Sequence, residues 1–180
     1  MAAFPVHPRY SRMLIAANTM GCVRALCRIA ALAQLGSPLV RGHSKSAKPA
    51  QSDWLDGDFL SDFFRELHGW NLARQSQDMA MFCDTHGLDF RVLQQAERLT
   101  KDFERIAVFQ GLSLDERDNI PQHWAQCILM GFKDRLAKRL DTGTLRCALI
   151  HNRRAELRRT SVVQDAPLFV AADLEEVEIR

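Results

Sequence analysis

CDTHGLDFRVLQQAERLTKDFERIA, Cys83 to Ala107, is the stretch on which the reading of the fold turns. Phe90, Leu93, Ala96, Phe103, Ile106 and Ala107 fall on one stripe at helical spacing, with Gln94, Glu97, Arg98 and Lys101 outside it. That is the pattern of an amphipathic helix with one buried face. Asp89 stands where a carboxylate accepts the helix's first free backbone N–H groups. Gly87 closes a shorter helix, Met79 to His86, because a residue without Cβ enters the left-handed position after a helix at no steric cost. The long helix is expected to run about eighteen residues, roughly 27 Å at 1.5 Å per residue.

The same periodicity extends towards the N-terminus. Pro8 suits a first helical turn, and Tyr10, Met13, Leu14 and Ala17 recur at helical spacing until Asn18 to Gly21 break the pattern. Val23, Leu26, Cys27, Ala30, Ala31 and Gln34 continue a second helical face that ends at Gly36-Ser37-Pro38. Residues 36 to 52 are rich in Gly, Ser, Pro and Lys and read as an exposed loop. Asp53 to Gln75 reads as a helix with Leu60, Phe63, Phe64 and Leu67 apolar. Ser-Asp pairs stand at 52–53 and 61–62, and the family resemblance described below fits either of them equally well at the start of this helix.

Beyond Asn119 an amphipathic helix is expected over Gln122 to Arg139, with Ile128, Phe132 and Leu136 on its inner face and Lys133, Lys138 and Arg139 outside. Trp124 reads as a core anchor. The period then changes from helical to alternating: Leu145, Cys147 and Leu149, a turn at Asn152-Arg153, and later Leu168, Val170, Ala172 and Leu174. The chain is thus mainly α with a C-terminal β segment.

The chain has 180 residues, 47% apolar and 26% charged, with a net charge of +2, which is ordinary globular composition. The distribution of charge is less even: residues 1–50 carry +7, 51–124 carry −7, 125–163 carry +6 and 164–180 carry −4. Basic regions flanking an acidic one steer a polyanion to particular parts of a surface; solvated helix faces give the same pattern without a partner. The uncharged run Ile29 to Val40, between Arg28 and Arg41, is only twelve residues, and no uncharged run reaches the length needed to span a bilayer. The acid-poor, Arg-rich N-terminus imitates a mitochondrial transit peptide.

Five cysteines, an odd number without C-x-x-C spacing, point to reduced thiols. Cys83-x-x-His86 is half of a zinc site at most. The glycines never form G-x-x-x-x-G-K-[ST], Ser44-Lys45-Ser46 lacks them, and there is no Asp-Glu-Ala-His run. Nucleotide phosphoryl transfer needs such a phosphate loop and a magnesium-holding acid. No catalytic residue, cofactor or metal is therefore expected in this chain.

Four further stretches carry a resemblance: FPVHPRYSRMLIAA (Phe4 to Ala17), QCILMGFKDRLAKRL (Gln126 to Leu140), LRCALIHNRRAELRRTSVV (Leu145 to Val163) and PLFVAADLEEVEI (Pro167 to Ile179). In that order, and with Cys83, Gly87-Leu88 and Ala96-Glu97 between them, the chain resembles the C-terminal accessory region of DEAH-box ATP-dependent RNA helicases, most closely the bacterial Hrp-type members. The resemblance implies a ratchet-like helical bundle over 1–120, beginning at a winged-helix junction and containing the 36–52 loop. A connecting helix and a truncated, partial OB-fold over 121–180 would follow it.

The resemblance also implies a role. An OB-fold is a Greek-key barrel that binds oligonucleotides on one face, and in the family this surface and the ratchet helix lie along the exit path of the bound strand. Lys133, Arg135, Lys138, Arg139, Arg153, Arg154, Arg158 and Arg159 are the expected phosphate contacts. Aromatic platforms for stacking bases are not evident, since Phe132 reads as core and Phe169 as strand interior. His151 reads as a solvated turn histidine, and Ser161 as a residue that caps or closes a turn. The expected partners are single-stranded RNA and RecA-like motor domains, with no membrane and a cytoplasmic location. ATP and magnesium belong to the motor domains, so this chain alone is expected to be inactive. The alternative is a stand-alone RNA-binding or interaction protein without helicase activity.

Overall fold

The computed structural model describes residues 6–40, 57–117 and 120–174. Helices α1 (Pro8–Met20) and α2 (Val23–Leu35) are joined by two residues only. Gly21 makes this possible: at φ +67° it lies in the left-handed region, and a Cβ there would stand 2.9 Å from the Arg117 side chain. The Cys22 N–H then donates back to Ala17 O at 3.0 Å, closing the helix end. Helix α2 is apolar on nearly every side, with Val23, Ala25, Leu26, Cys27, Ile29, Ala30, Ala31 and Leu32 buried. Such a helix belongs at the centre of a core.

Next come α3 (Asp62–Gln75), α4 (Met79–His86), α5 (Phe90–Phe109) and α6 (Pro121–Phe132); α1, α3, α5 and α6 pack on α2, while α4 packs on α3 and α5. Helix α5 lies along α2 and buries Leu93, Ala96, Thr100, Phe103 and Ala107. Asp89 caps it, its carboxylate accepting from Arg91 N at 2.8 Å and Val92 N at 3.1 Å. Helix α6 lies along α1. The two approach so closely at Gly131 that a Cβ there would stand 2.8 Å from Arg9 O. Although α6 follows residue 120, it is thereby part of the helical bundle.

Three features differ from the sequence reading. First, the 36–52 stretch is not exposed throughout. Pro38 is fully buried, Leu39 bridges to Leu88, and Asp89 N donates to Pro38 O at 2.7 Å. Composition marked a loop there but gave no sign that its first residues clamp the α4–α5 turn; residues 41–52 lie outside the described residues. Second, α3 begins at Asp62, after Ser61 has capped it by accepting from Phe63 N. Residues 57–61 are not helical, Leu60 is 56% exposed, and the Ser52-Asp53 alternative lies outside the described residues.

Third, the helix expected over Gln122 to Arg139 ends at Phe132. A single 3₁₀ turn, Lys133–Arg135, follows it, and Leu136–Arg139 is strand β1. Ile128, Phe132 and Leu136 keep a helical spacing, but β1 is flanked by the next strand on one side and by a strand some thirty residues on at the other, which supply ladder hydrogen bonds that helical periodicity does not reveal. Among the described residues after 143 lie three strands, β2 (Arg146–Leu149), β3 (Arg154–Glu156) and β4 (Leu168–Val170), to which β1 adds a fourth.

The antiparallel sheet has the order β3-β2-β1-β4. Three meandering strands with a fourth returning beside the first make a Greek key, consistent with a partial OB-like segment. The segment after β3 crosses to α3: Asp62 accepts from the Ser161 hydroxyl at 2.6 Å and from Val162 N at 2.9 Å, while Arg65 donates to Thr160 O at 2.8 Å. Ser161 does close a local turn, accepting from Val163 N at 3.2 Å, and also ties sheet to bundle.

Candidate nucleic-acid interface

Strand pairing decides which of the eight expected phosphate contacts share a surface. Lys138 is paired with Ala148, and Ala148 with Arg154. Residues opposite one another in neighbouring strands point to the same face, so Lys138 and Arg154 stand two strands apart, roughly 10 Å, on the outer side of the sheet. Arg146 shares that side. The other side holds Ala137, Arg139 and Cys147, all buried.

Arg139 therefore corrects the expectation of an outward cation. It is 6% exposed. Its Nε donates to Ala166 O at 3.1 Å, Nη2 to Val163 O at 2.8 Å and Nη1 to Thr144 O. Its guanidinium also stands 5.5 Å from the centre of the Phe169 ring. Leaving the helical register turned this side chain inward, and it now holds the segment between β3 and β4 against the sheet.

Lys133 is exposed on the 3₁₀ turn, and Arg135 is half-buried beside it. Arg135 and Arg153 line one small cleft, about 210 Å³, together with Arg9, Asp134 and His151. His151 takes a left-handed conformation, φ 64° and ψ 36°, on the turn between β2 and β3, and is exposed there. Arg158 lies 3.3 Å from Asp173. Neither Arg158 nor the exposed Arg159 lines this cleft.

Arg9 is the functional candidate that sequence reading missed. Its guanidinium meets the Asp134 carboxylate through Nε at 3.2 and 3.1 Å and through Nη2 at 2.5 Å. Arg12 reaches the same carboxylate at 3.7 Å and donates to Gly131 O at 3.0 Å. The hydrogen bonds from Arg9 hold the Asp134 carboxyl below the usual carboxylate range, and Asp134 in turn raises the Arg9 guanidinium. The signal available in the sequence was the acid-free stretch 1–50.

On its other side Arg9 borders a larger cleft, about 590 Å³, where Tyr10 of α1 meets Leu99, Asp102 and Phe103 of α5 and Phe132 of α6. Tyr10 packs edge-on to Phe103 at 5.7 Å and to Phe132 at 6.0 Å. Phe132 is core, as expected, but its ring also forms cleft wall, 6.0 Å from the Arg9 guanidinium. Aromatic side chains from three elements thus gather beside the basic cleft.

The profile of the helicase-associated domain (HA2), ratchet-like, matches residues 7–105, from the cap of α1 into the last turns of α5. The chain belongs to this family. As an HA2 ratchet-like chain it is similar to ATP-dependent RNA helicase DHX33 of Drosophila melanogaster, 24% identical over 137 residues that cover 76% of this chain and 20% of that protein. Probable ATP-dependent RNA helicase DHX35 of Pongo abelii is 23% identical over 156 residues, covering 81% of this chain and 20% of that protein. The human protein of the same name gives 23% over 156 residues, with 81% and 21% covered. The HA2 chain spans about a fifth of the length of these relatives.

Among the described residues of the HA2 chain no group of three or more His, Cys, Asp or Glu is placed to hold a metal. Cys83 is buried, and the His86 ring stacks on Phe82 with Nδ1 2.8 Å from Phe82 O. No described helix is long and apolar enough to cross a membrane.

Proposed function

We propose that this chain is the C-terminal accessory module of a cytoplasmic DEAH-box RNA helicase of the bacterial Hrp type, guiding single-stranded RNA and docking on RecA-like motor domains that supply ATP chemistry. The observation that carries the reading is the convergence of Arg9, Arg135, Arg153 and His151 on one cleft at the junction of bundle and sheet. Cations gathered on a concave surface bind a phosphate backbone by releasing its counterions. Lys138, Arg146 and Arg154 extend the basic surface across the outer sheet face. Val108 and the 86% exposed Phe109, at the end of α5, support the docking half of the reading as uncovered apolar surface.

The test is titration of a fluorescent single-stranded RNA with the chain at several salt concentrations. Contact with about three phosphates gives a slope near −2 in log K against log salt, at about −0.7 per phosphate. Arg135→Ala with Arg153→Ala is expected to weaken binding far more than Arg158→Ala with Arg159→Ala. Absence of any binding at low salt overturns the RNA half of the reading.

A further inference from the structure

We propose that the 590 Å³ cleft beside Arg9 receives one nucleobase of the bound RNA strand, a site that the charge pattern alone does not suggest. The inference rests on the RNA-guiding reading and specifies where a base leaves the strand. The cleft is in the size range that encloses a small organic group, about 300–1,000 Å³. Its open wall is formed by the half-buried Tyr10 and Leu99, backed by the buried rings of Phe103 and Phe132, while Arg9 and Asp102 provide polar groups. A bare phosphate is poorly matched to an apolar wall because it loses hydration without replacement. A base is well matched, with two apolar faces and a polar edge.

The neighbouring cleft supplies the other half of the argument. Arg9 lines both clefts, so a strand whose phosphates lie along Arg135 and Arg153 passes directly beside the aromatic recess. That basic neighbourhood favours a polyanion over an apolar peptide as the occupant. The Asp102 carboxylate accepts hydrogen bonds and cannot donate them; Arg105 already donates to Oδ1, which leaves Oδ2 to a ligand. Cytosine presents an amino group to such an acceptor, whereas the single N3–H of uracil lies between two carbonyls that repel a carboxylate, so cytosine fits this site better than uracil.

The experiment compares three dodecamers of equal charge, oligo-C, oligo-U and an abasic ribose-phosphate chain, binding to the full chain. Stacking of a base on aromatic side chains contributes about 1–3 kcal/mol, so oligo-C is expected to bind about tenfold tighter than the abasic chain. Ala172→Phe, which fills the cleft from the segment after β4, should bring oligo-C down to the abasic affinity and leave the abasic affinity unchanged. Asp102→Ala should erase the preference for oligo-C over oligo-U. As a readout independent of any variant, the methyl resonances of Leu99 and Ile106 in the unaltered protein should shift with oligo-C and stay fixed with the abasic chain. RNA binding without those methyl shifts, or equal affinity for oligo-C and the abasic chain, overturns the base site and leaves the RNA-guiding reading intact. Binding of none of the three at low salt overturns both.

Discussion

Arg9 and Asp134 grip each other across 125 positions of sequence, with the guanidinium reaching both carboxylate oxygens at 3.2 Å or less. The pair fastens the start of α1 to the turn from which the sheet departs. It also decides how much positive charge the basic cleft presents, because one carboxylate lies against Arg9, Arg12 and Arg135.

Asp134→Asn tests that balance. Both side chains are partly in solvent, so losing the ion pair should cost no more than about 1 kcal/mol of stability. Because Arg9 depresses the carboxyl, this small contribution is present above the ordinary carboxylate pKa and lost as pH falls through the lowered folded value. Affinity for single-stranded RNA should rise a few-fold at low salt. A fall in affinity would mean that Asp134 matters for aiming Arg9.

Glu66 makes the bundle sensitive to pH. It is buried in α3, and burial, only partly opposed by a hydrogen bond from Ser37, pushes its carboxyl up to about 7 from an ordinary 4.5. The folded state therefore holds a proton that the unfolded chain releases, so stability is greatest below pH 4.5 and declines as pH rises to about 7. At about 1.4 kcal/mol per pH unit the decline attributable to Glu66 is about 3 kcal/mol. Glu66→Gln should flatten that portion of a stability–pH curve and raise the denaturation midpoint at pH 8. An unchanged slope between pH 5 and 7 would refute the assignment.

The sheet should come loose from α3 when Asp62 or Ser161 is lost. Asp62→Ala and Ser161→Ala each remove a part-buried, charge-assisted hydrogen bond, worth about 1.5–3 kcal/mol. Combined in a double-mutant cycle they should show strong coupling. Hydrogen exchange should then accelerate in 168–170 while amides of 90–107 stay protected. Acceleration in both regions together would show that bundle and sheet unfold as one unit.

Arg139→Lys should be nearly as damaging as Arg139→Met. Three carbonyls around one buried guanidinium need a planar group with several fixed donors, which an ammonium cannot replace. A loss of about 3 kcal/mol or more is expected on breaking such a buried charged network. Denaturant unfolding followed by far-ultraviolet circular dichroism measures it. Retention of full stability in the lysine variant would remove the structural role given to Arg139.

All five cysteines are buried and unpaired. Cys27 has its thiol pushed up to about 12 by burial, so little thiolate is present at neutral pH to attack an alkylating reagent. Iodoacetamide at pH 8 should label Cys27 only on unfolding, as read by peptide mass. Labelling as fast as a free thiol in the native chain would contradict the packing of α2.

Much of the helical part was legible. Pro8, Gly21, Gly36, Asp89 and Gly87 mark helix ends through their own backbone and side-chain chemistry, and each does so in the structure. The stripe on α5 predicted its buried face because helical spacing alone brings Leu93, Ala96, Phe103 and Ala107 together. The change to alternation after Asp141 likewise located β2 and β4. The candidate site was less legible. Lys133, Arg135, Lys138, Arg153 and Arg154 reached outer or cleft surfaces, whereas Arg139 turned inward and Arg9 went unassigned.

The sequence by itself determined the ends of α1, α2, α4 and α5, the apolar face of α5, that the C-terminal part is strand, and that positive charge is concentrated at both sides of an acidic middle. Those properties depend on residues within a turn or two of one another. Only the tertiary structure decided that Leu136 to Arg139 leaves the helix, because its hydrogen-bonding partners lie beyond the helical period, Cys147 to Leu149 some ten residues on and Leu168 to Val170 some thirty. The same holds for the two clefts. Arg9, Asp134 and Phe103 become neighbours only once α1 packs on α6 and the bundle closes around α2, and long-range packing of that kind leaves no periodic trace in the sequence.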